Sequence, residues 1–394
     1  MSAMTHLLQL AGEVGGDHLR RLGILPAPLP EPDELHLQAV MDWLRRAVQN
    51  GKGGVSSHYD LLRGRWRNPF PETTGYIIPT FFDYYHRVKD PYFFEAAVRL
   101  TDWLGEVQLE NGACMQGAYD ERQGPNPPII FNTGQNIFGF LRAFNETGKE
   151  AYLDRAIKAG DFLVHSTDEK GVFNRYLHHQ IPHAYNARTA WALLELHRVT
   201  GKPDYRRVAL ANLDWTVSRQ QGNGWFADCH FKPGEYPNTH GIAYTLRGLL
   251  ESYRIVGEPA YLKAVERTSE TLLALVESGR PLYAFWDADW QNRGKYFKLL
   301  KGRYICLTGN VQLAIIWLRL FSTVRAEPRL LCAANRLIDE VKGHHDIHSP
   351  HPGIRGGVKG SFPITGAYSF LKYPNWAAKF LADALMLRLV SAKL

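Results

Sequence analysis

The stretch FNTGQNIFGFLRAFNETG, residues 131–148, decides how the whole chain is read. It opens on Asn132, Thr133 and Gly134, continues with Ile137, Phe140, Leu141 and Phe144 at i, i+3, i+4 and i+7, and stops at Gly148. That is the pattern of one amphipathic helix with a polar start and a glycine stop. Thr and Asn suit helix starts because their oxygens accept backbone N–H groups that the first turn cannot satisfy. The same signature recurs as Thr74-Gly75 in ETTGYIIPTFFDYYHRV and Asn186-Ala187 in YNARTAWALLELHRVTG. It returns as Thr239-His240-Gly241 in NTHGIAYTLRGLLESYRIVG, Thr308-Gly309 in LTGNVQLAIIWLRLFSTV and Thr365-Gly366 in PITGAYSFLKYPNWAAKF.

Positions 75, 134, 187, 241, 309 and 366 are separated by 59, 53, 54, 68 and 57 residues. Each interval holds two helices with one long and one short connection. Second helices are legible in PYFFEAAVRLTDWLGEV, EAYLDRAIKAGDFLVHS, PDYRRVALANLDWTVSR and PAYLKAVERTSETLLALV. Six capped hairpins in series predict an all-α fold, an (α/α)6 toroid with inner helices ringed by outer ones. A solenoid of helix pairs is the alternative, but its repeats are shorter, roughly 34–47 residues, and its loops are short. An extra helix over 35–49 is the candidate to complete the ring, because the sixth repeat has an indistinct second half. Residues 1–34, ending in the Pro-rich PAPLPEPD, read as an arm packed on the outside, and 35–394 as the toroid.

Composition narrows the function. Hydrophobic residues make up 45% and charged residues 22%, the balance of a globular protein with a large core. The net charge of +7 is dispersed, with no basic run or nucleic-acid-binding signature, so nucleic acid is not an expected partner. Cys114, Cys229, Cys306 and Cys332 form no CxxC pair and read as reduced thiols. No leader-like or membrane-spanning run is present, and a cytoplasmic location is the expectation. P-loop, GxGxxG and nucleophile-elbow motifs are absent, and Cys229-His230 with Cys306 makes only a weak zinc motif. No metal or cofactor is therefore expected.

The outer-to-inner connections, about 51–73, 106–132, 166–185, 219–239, 279–307 and 343–364, are the long ones, and long loops in a compact domain are usually functional. They share one end of the ring with six helix N-termini, whose partial positive charges favour anions. Aromatic, Arg, His and carboxylate side chains recur in each. The candidate substrate-binding residues are Arg63, Trp66, Tyr76, Asp120, Gln135, His183, Arg188, Trp225, Asp228, Arg303, Arg355 and Lys359. Pyranose faces stack on rings, and uronate carboxylates pair with Arg, so this inventory points to an acidic glycan. Tyr119, Tyr59 and Trp376 also fit as wedges between helices, and His178 and His179 as solvated loop histidines.

PETTGYIIPT, FNTGQNIFGFLRAF, THGIAYTLRGLLE, LTGNVQLAIIWLRL and GIRGGVKGSFPITGAY…YPNWAAKF together resemble the (α/α)6 toroids of carbohydrate-active proteins. The chain is most similar to the C-terminal domain of D-glucuronyl C5-epimerases and to toroid proteins of bacterial polysaccharide-biosynthesis clusters. The resemblance covers about residues 35–390; the β-rich portion that precedes the toroid in those epimerases has no counterpart in these residues. It implies tyrosines working with a carboxylate, here Tyr185 and Tyr244 with Glu72, on an acidic oligosaccharide, polysaccharide or glycolipid. The expected reaction is proton abstraction at C5 of a uronate. Tyr185 or His240 removes the proton, Tyr244 returns one, and Arg188 or Arg355 with Lys359 stabilises the enolate. Loss of the C4 substituent instead gives a lyase. A hydrolase needs a carboxylate pair, drawn from Glu72, Asp120, Asp228 and Asp287, and a non-catalytic glycan-binding toroid is the remaining alternative.

Overall fold

The computed structural model describes residues 3–26, 28, 31–296, 300, 301 and 303–391. Thirteen helices run through them. In chain order they are α1 (Ala3–Arg21), α2 (Asp33–Gln49), α3 (Pro71–Val88), α4 (Pro91–Val107), α5 (Ile130–Thr147), α6 (Glu150–His165) and α7 (Ala187–Thr200). Next come α8 (Pro203–Ser218), α9 (Thr239–Val256), α10 (Pro259–Glu277), α11 (Leu307–Thr323), α12 (Pro328–Lys342) and α13 (Asn375–Ser391). The odd-numbered helices from α3 to α13 form the inner ring. Each touches the next, and α13 closes the circle on α3. Outer helices α4, α6, α8, α10 and α12 pack on their inner partners, and α2 supplies the sixth outer position against α13. The expected (α/α)6 toroid is present, with the early helix completing it. No described helix is long and apolar enough to cross a membrane.

The recurrent small residue after each polar start is what lets the inner helices approach. A Cβ on Gly134 would lie 2.8 Å from Thr189 of α7, and one on Gly309 2.8 Å from the His240 backbone nitrogen of α9. A Cβ on Gly75 would fall within 2.8 Å of the Asn136 Cα of α5.

Two details of the repeat are corrected. The threonines are not N-caps in most copies: Phe70, Ile129 and Cys306 hold those positions, and Thr74, Thr133 and Thr308 lie inside the first turn. Thr74 and Thr133 donate to the carbonyls of Phe70 and Ile129 and accept from Val55 and Cys114 of the preceding loops. The hydroxyl thus pins a long loop to its helix rather than capping it. Of the inner helices α3 to α11, only α9 is capped by a side chain, Asn238 accepting from the His240 N–H at 2.8 Å. The sixth copy also starts later than Thr365-Gly366, at Asn375. Residues 361–374 form turns and short strands, with Ser369 and Leu371 at positive φ and Lys372–Pro374 paired to His58–Asp60.

The N-terminal arm is helical and lies across the long-loop end instead of the outer wall. Asp17, 1% exposed, accepts from Lys359 Nζ at 2.6 Å and from Ile364 N at 2.9 Å. Glu13 accepts from Tyr373 and pairs with the same lysine at 3.1 Å. Lys359 is buried, and a buried ammonium needs acids beside it. Asp17→Ala is therefore expected to cost about 2–4 kcal/mol and to free α1. Amide exchange should show α1 protection lost while α5 and α9 stay protected; unchanged protection in α1 would show that the contact does not hold it. Residues 27, 29 and 30 of the Pro-rich linker lie outside the described residues.

Candidate active site

The inner helices converge on an axial cavity of about 330 Å³ at the long-loop end. Helix α3 brings Glu72 and Tyr76, α5 brings Phe131 and Asn132, and α9 brings His240 and Tyr244. Tyr185 enters from the turn before α7, Phe231 from the loop before α9, Tyr368 from the loop before α13 and Trp376 from the start of α13. These positions follow from the repeat. The lining residues lie in or just before the starts of five inner helices, α3, α5, α7, α9 and α13, so five long loops deliver residues to one space.

Glu72 is the single carboxylic acid lining this cavity among the described residues. Removal from water pushes it up to about 8, partly countered by the positive charge of Arg188. It is neutral over most of the physiological range and faces the cavity with its proton available. His240 is buried and pushed down to about 3, first by desolvation and then by Arg188, so its ring is neutral. Gln312 Nε2 sits against His240 Nδ1 and also donates to the Thr308 carbonyl, which leaves the His240 proton on Nε2. Tyr76 and Tyr244 are hydrogen-bonded to each other, and burial raises both phenols well beyond the ordinary range, as it does Tyr185 and Tyr368. Every polar side chain here thus offers a proton near pH 7, and none lining the cavity carries a full charge.

The walls are rings. Phe131 meets Tyr185 edge-on at 5.1 Å and Tyr244 at 5.0 Å, and His240 lies 4.2 Å from Tyr244. Trp376 Nε1 donates to the Tyr368 hydroxyl at 2.8 Å, fixing that pair beside Phe231. Such faces suit the apolar sides of a pyranose.

Of the sixteen residues singled out from sequence, Glu72, Tyr76, Tyr185, His240 and Tyr244 meet in this cavity. Arg188 is close by, behind the tyrosines, with its guanidinium 5.2 Å from the Tyr244 ring and 5.7 Å from Tyr76. Gln135 holds Arg188 through Oε1 at 2.6 Å, and His183 stacks behind Tyr185 between two backbone carbonyls.

The others are elsewhere, and all but Arg355 have a nearer partner. Arg63 pairs with Asp60 at 2.9 Å, Asp120 with Arg122 at 3.1 Å, and Asp228 with Arg219 at 2.7 Å. Trp66 packs on Trp43 and Tyr59, and Trp225 donates to the Trp286 carbonyl. Arg303 lies over the Tyr283 ring, Arg355 is exposed, and Lys359 belongs to Asp17 and Glu13. The hydrolytic candidate Asp287 is bound to Arg293. Charged loop residues satisfy one another locally because bringing a lone charge into an aromatic cavity is costly.

Phe70, Gln116, Phe231 and Gln312 were not foreseen as part of the site. Their apolar or amide character carries no chemical signature; only position relative to the inner-helix starts could have flagged them. His178, expected to be solvated, lines the cavity and is pushed down to about 4 by burial. Among the described residues no cluster of three His, Cys, Asp or Glu has metal-holding geometry, and all four cysteines are free.

No family model matches the chain, and no curated protein sequence does either. Solved structures do. The chain is similar to an unsaturated glucuronyl hydrolase specific for heparin, with TM-score 0.69 and 16% identity over 92% of this chain and 99% of that one. An unsaturated glucuronyl hydrolase from Bacillus sp. GL1 gives TM-score 0.69 and 18% identity over 91% and 97%. Cellobiose 2-epimerase from Bacillus thermoamylovorans B4167 gives 0.69 and 10% over 90% and 97%. At these identities the likeness is one of fold. The resemblance to D-glucuronyl C5-epimerases rests on sequence motifs alone.

Proposed function

We propose that this protein is a carbohydrate-active enzyme that moves a proton at a ring carbon of a uronate-type sugar, with Glu72 as the acid–base group. The observation that carries the reading is a lone carboxylic acid, its pKa pushed up to about 8, in an aromatic cavity of donors. A proton-transfer group works best when its pKa lies near the working pH. Support comes from the full-length likeness to enzymes whose names are those of glucuronyl- and cellobiose-acting proteins.

In the epimerase form, ionised Glu72 takes the C5 proton, and the C5–H electrons move into the substrate carboxylate. Hydroxyls of Tyr76 and Tyr244, the His240 Nε2–H and the inner-helix N-termini stabilise the resulting oxyanion. Reprotonation from a tyrosine on the other face inverts C5; expulsion of the C4 substituent gives the lyase outcome. Arg355 and Lys359 take no part in this scheme, because the cavity does not include them.

A second reading is favoured by the protonation state itself. Protonated Glu72 can donate to C4 of a C4–C5 unsaturated uronide, leaving a cation at C5 that water captures while its released proton passes back to ionised Glu72. The carboxylate-pair hydrolase has no second acid in this cavity among the described residues, since Asp120, Asp228 and Asp287 are paired away from it.

The experiment is incubation in deuterated water with saturated and with unsaturated uronate oligosaccharides. Deuterium entering C5 supports the epimerase form, a new double-bond absorbance the lyase, and loss of an existing one the hydration. Tight glycan binding with none of these signals would leave a non-catalytic binding toroid. The pH profile separates the first and last independently. If Glu72 must arrive protonated, kcat/KM is flat below about pH 8 and falls tenfold per pH unit above it. If it must arrive ionised, kcat/KM rises tenfold per pH unit and levels off above about 8.

A further inference from the structure

The axial channel has a second chamber, about 320 Å³, at the opposite end of the ring, where the inner helices finish and the short connections begin. Tyr76 lines both chambers, and Phe380 of the far one packs against its ring at 5.7 Å to complete the partition. The chemistry proposed for Glu72 makes no use of this space.

Its charge is unbalanced. Arg142, Arg188, Arg247, Arg319 and Lys379 line it, against Asp83, Glu195 and Asp383. Two of the acids are engaged at the rim, Asp83 by Arg142 at 2.7 Å and Glu195 by Arg198 at 3.0 Å, and Asp383 is engaged by Lys379. Arg247 and Arg319 share one carboxylate, Glu251, at 2.7 and 3.2 Å, and Arg254 takes its other oxygen. Arg188, 4% exposed, has no carboxylate within ion-pair distance among the described residues and donates through Nε to Gln135.

Helix dipoles do not account for these cations. Last-turn residues such as Arg198 and Arg254 complement the C-terminal ends at this mouth. Arg188 instead sits in the first turn of α7, where the dipole disfavours a cation, and Lys379 in the second turn of α13, far from its C-terminal end, yet both line the far chamber. The guanidinium groups are also oriented in advance: Arg188 and Arg247 both lie over the Trp191 ring, 5.4 and 5.5 Å from its centre. Stacked, planar, multiply donating groups around a shortage of negative charge are the recognition chemistry of a tetrahedral oxyanion.

We propose that the short-loop chamber binds a multivalent oxyanion, a phosphoryl or sulfate group, clamped by Arg188, Arg247, Arg319 and Lys379. Phe138 and Trp191 would carry the body of any larger molecule bearing that group. The site is independent of the Glu72 reading and stands or falls without it.

The test is titration of the full chain at constant ionic strength with inorganic phosphate, sulfate, pyrophosphate and a hexose 1-phosphate, with chloride as control, by calorimetry and tryptophan fluorescence. Saturable binding of at least one oxyanion and none of chloride is expected. Arg319→Gln and Lys379→Gln should each weaken it at least tenfold, and Trp191→Phe should remove the fluorescence change while keeping the heat. A preference for the hexose phosphate would identify an esterified phosphoryl ligand, and a preference for phosphate or sulfate a free ion. No saturable binding up to about 10 mM, or binding unchanged in both charge variants while each melts like the parent protein, would overturn the proposal.

Discussion

Replacing Glu72 with Gln is expected to lower turnover on a uronate substrate by about 10²–10⁴, while making the protein more stable at neutral pH. Gln keeps the shape and a hydrogen-bonding end group but cannot exchange a proton with carbon. The stability half of the prediction follows from linkage. In the fold Glu72 holds its proton up to about pH 8, whereas an exposed carboxyl loses it near 4.5. The contribution of the neutral acid is fully present below 4.5 and declines as pH rises toward 8, because the unfolded chain gains by ionising. Glu72→Gln removes that decline. The variant should match the parent near pH 4 and exceed it at pH 7–8 by on the order of 1–3 kcal/mol, reduced from the full linkage value because the group faces solvent in the cavity. Urea denaturation at the two pH values, beside the turnover assay, checks both halves. Retained turnover removes Glu72 from the mechanism; equal stability at both pH values removes the raised pKa.

Gly248→Ala should destabilise the toroid by about 3 kcal/mol or more, although the change adds one methyl in a helix interior, where Ala is normally preferred. A Cβ at 248 would lie 2.3 Å from the Ala187 carbonyl carbon and 2.5 Å from the Arg188 nitrogen, both backbone atoms of the neighbouring inner helix. Nothing flexible can yield, so α7 and α9 must separate. Since Arg188 and Tyr185 flank that contact, turnover should fall with stability. Gly12→Ala in α1 is the control: its Cβ meets nothing within 4 Å, and a change of less than about 1 kcal/mol, in the stabilising direction, is expected. A cost below about 1 kcal/mol at Gly248 would mean the inner ring is looser than its backbone contacts imply.

These two positions differ in how visible they were. Glu72 stood beside a repeated Thr-Gly signature and could be found by position. Gly248 sits mid-helix, and nothing in LRGLL marks it as a contact. The same contrast runs through the site. Glu72, Tyr76, Tyr185, His240 and Tyr244 were legible because the repeat itself places inner-helix starts on the axis. Arg63, Asp120, Asp228, Arg303, Arg355 and Lys359 were misplaced, because a long loop's charged residues can face in or out with no trace in composition.

The sequence by itself determined the six inner-helix starts and one end of the ring as the place for Glu72. Periodicity and helix-boundary chemistry are local, and the number of repeats limits how the hairpins can close. Only the tertiary structure decided which charges pair, that α1 lies over the long-loop end through Asp17 and Lys359, and that Thr74 and Thr133 tie loops instead of capping helices. Charge pairing depends on which residues distant in sequence become neighbours, and so does the burial that keeps Glu72 protonated. Those neighbours exist only after the ring has closed.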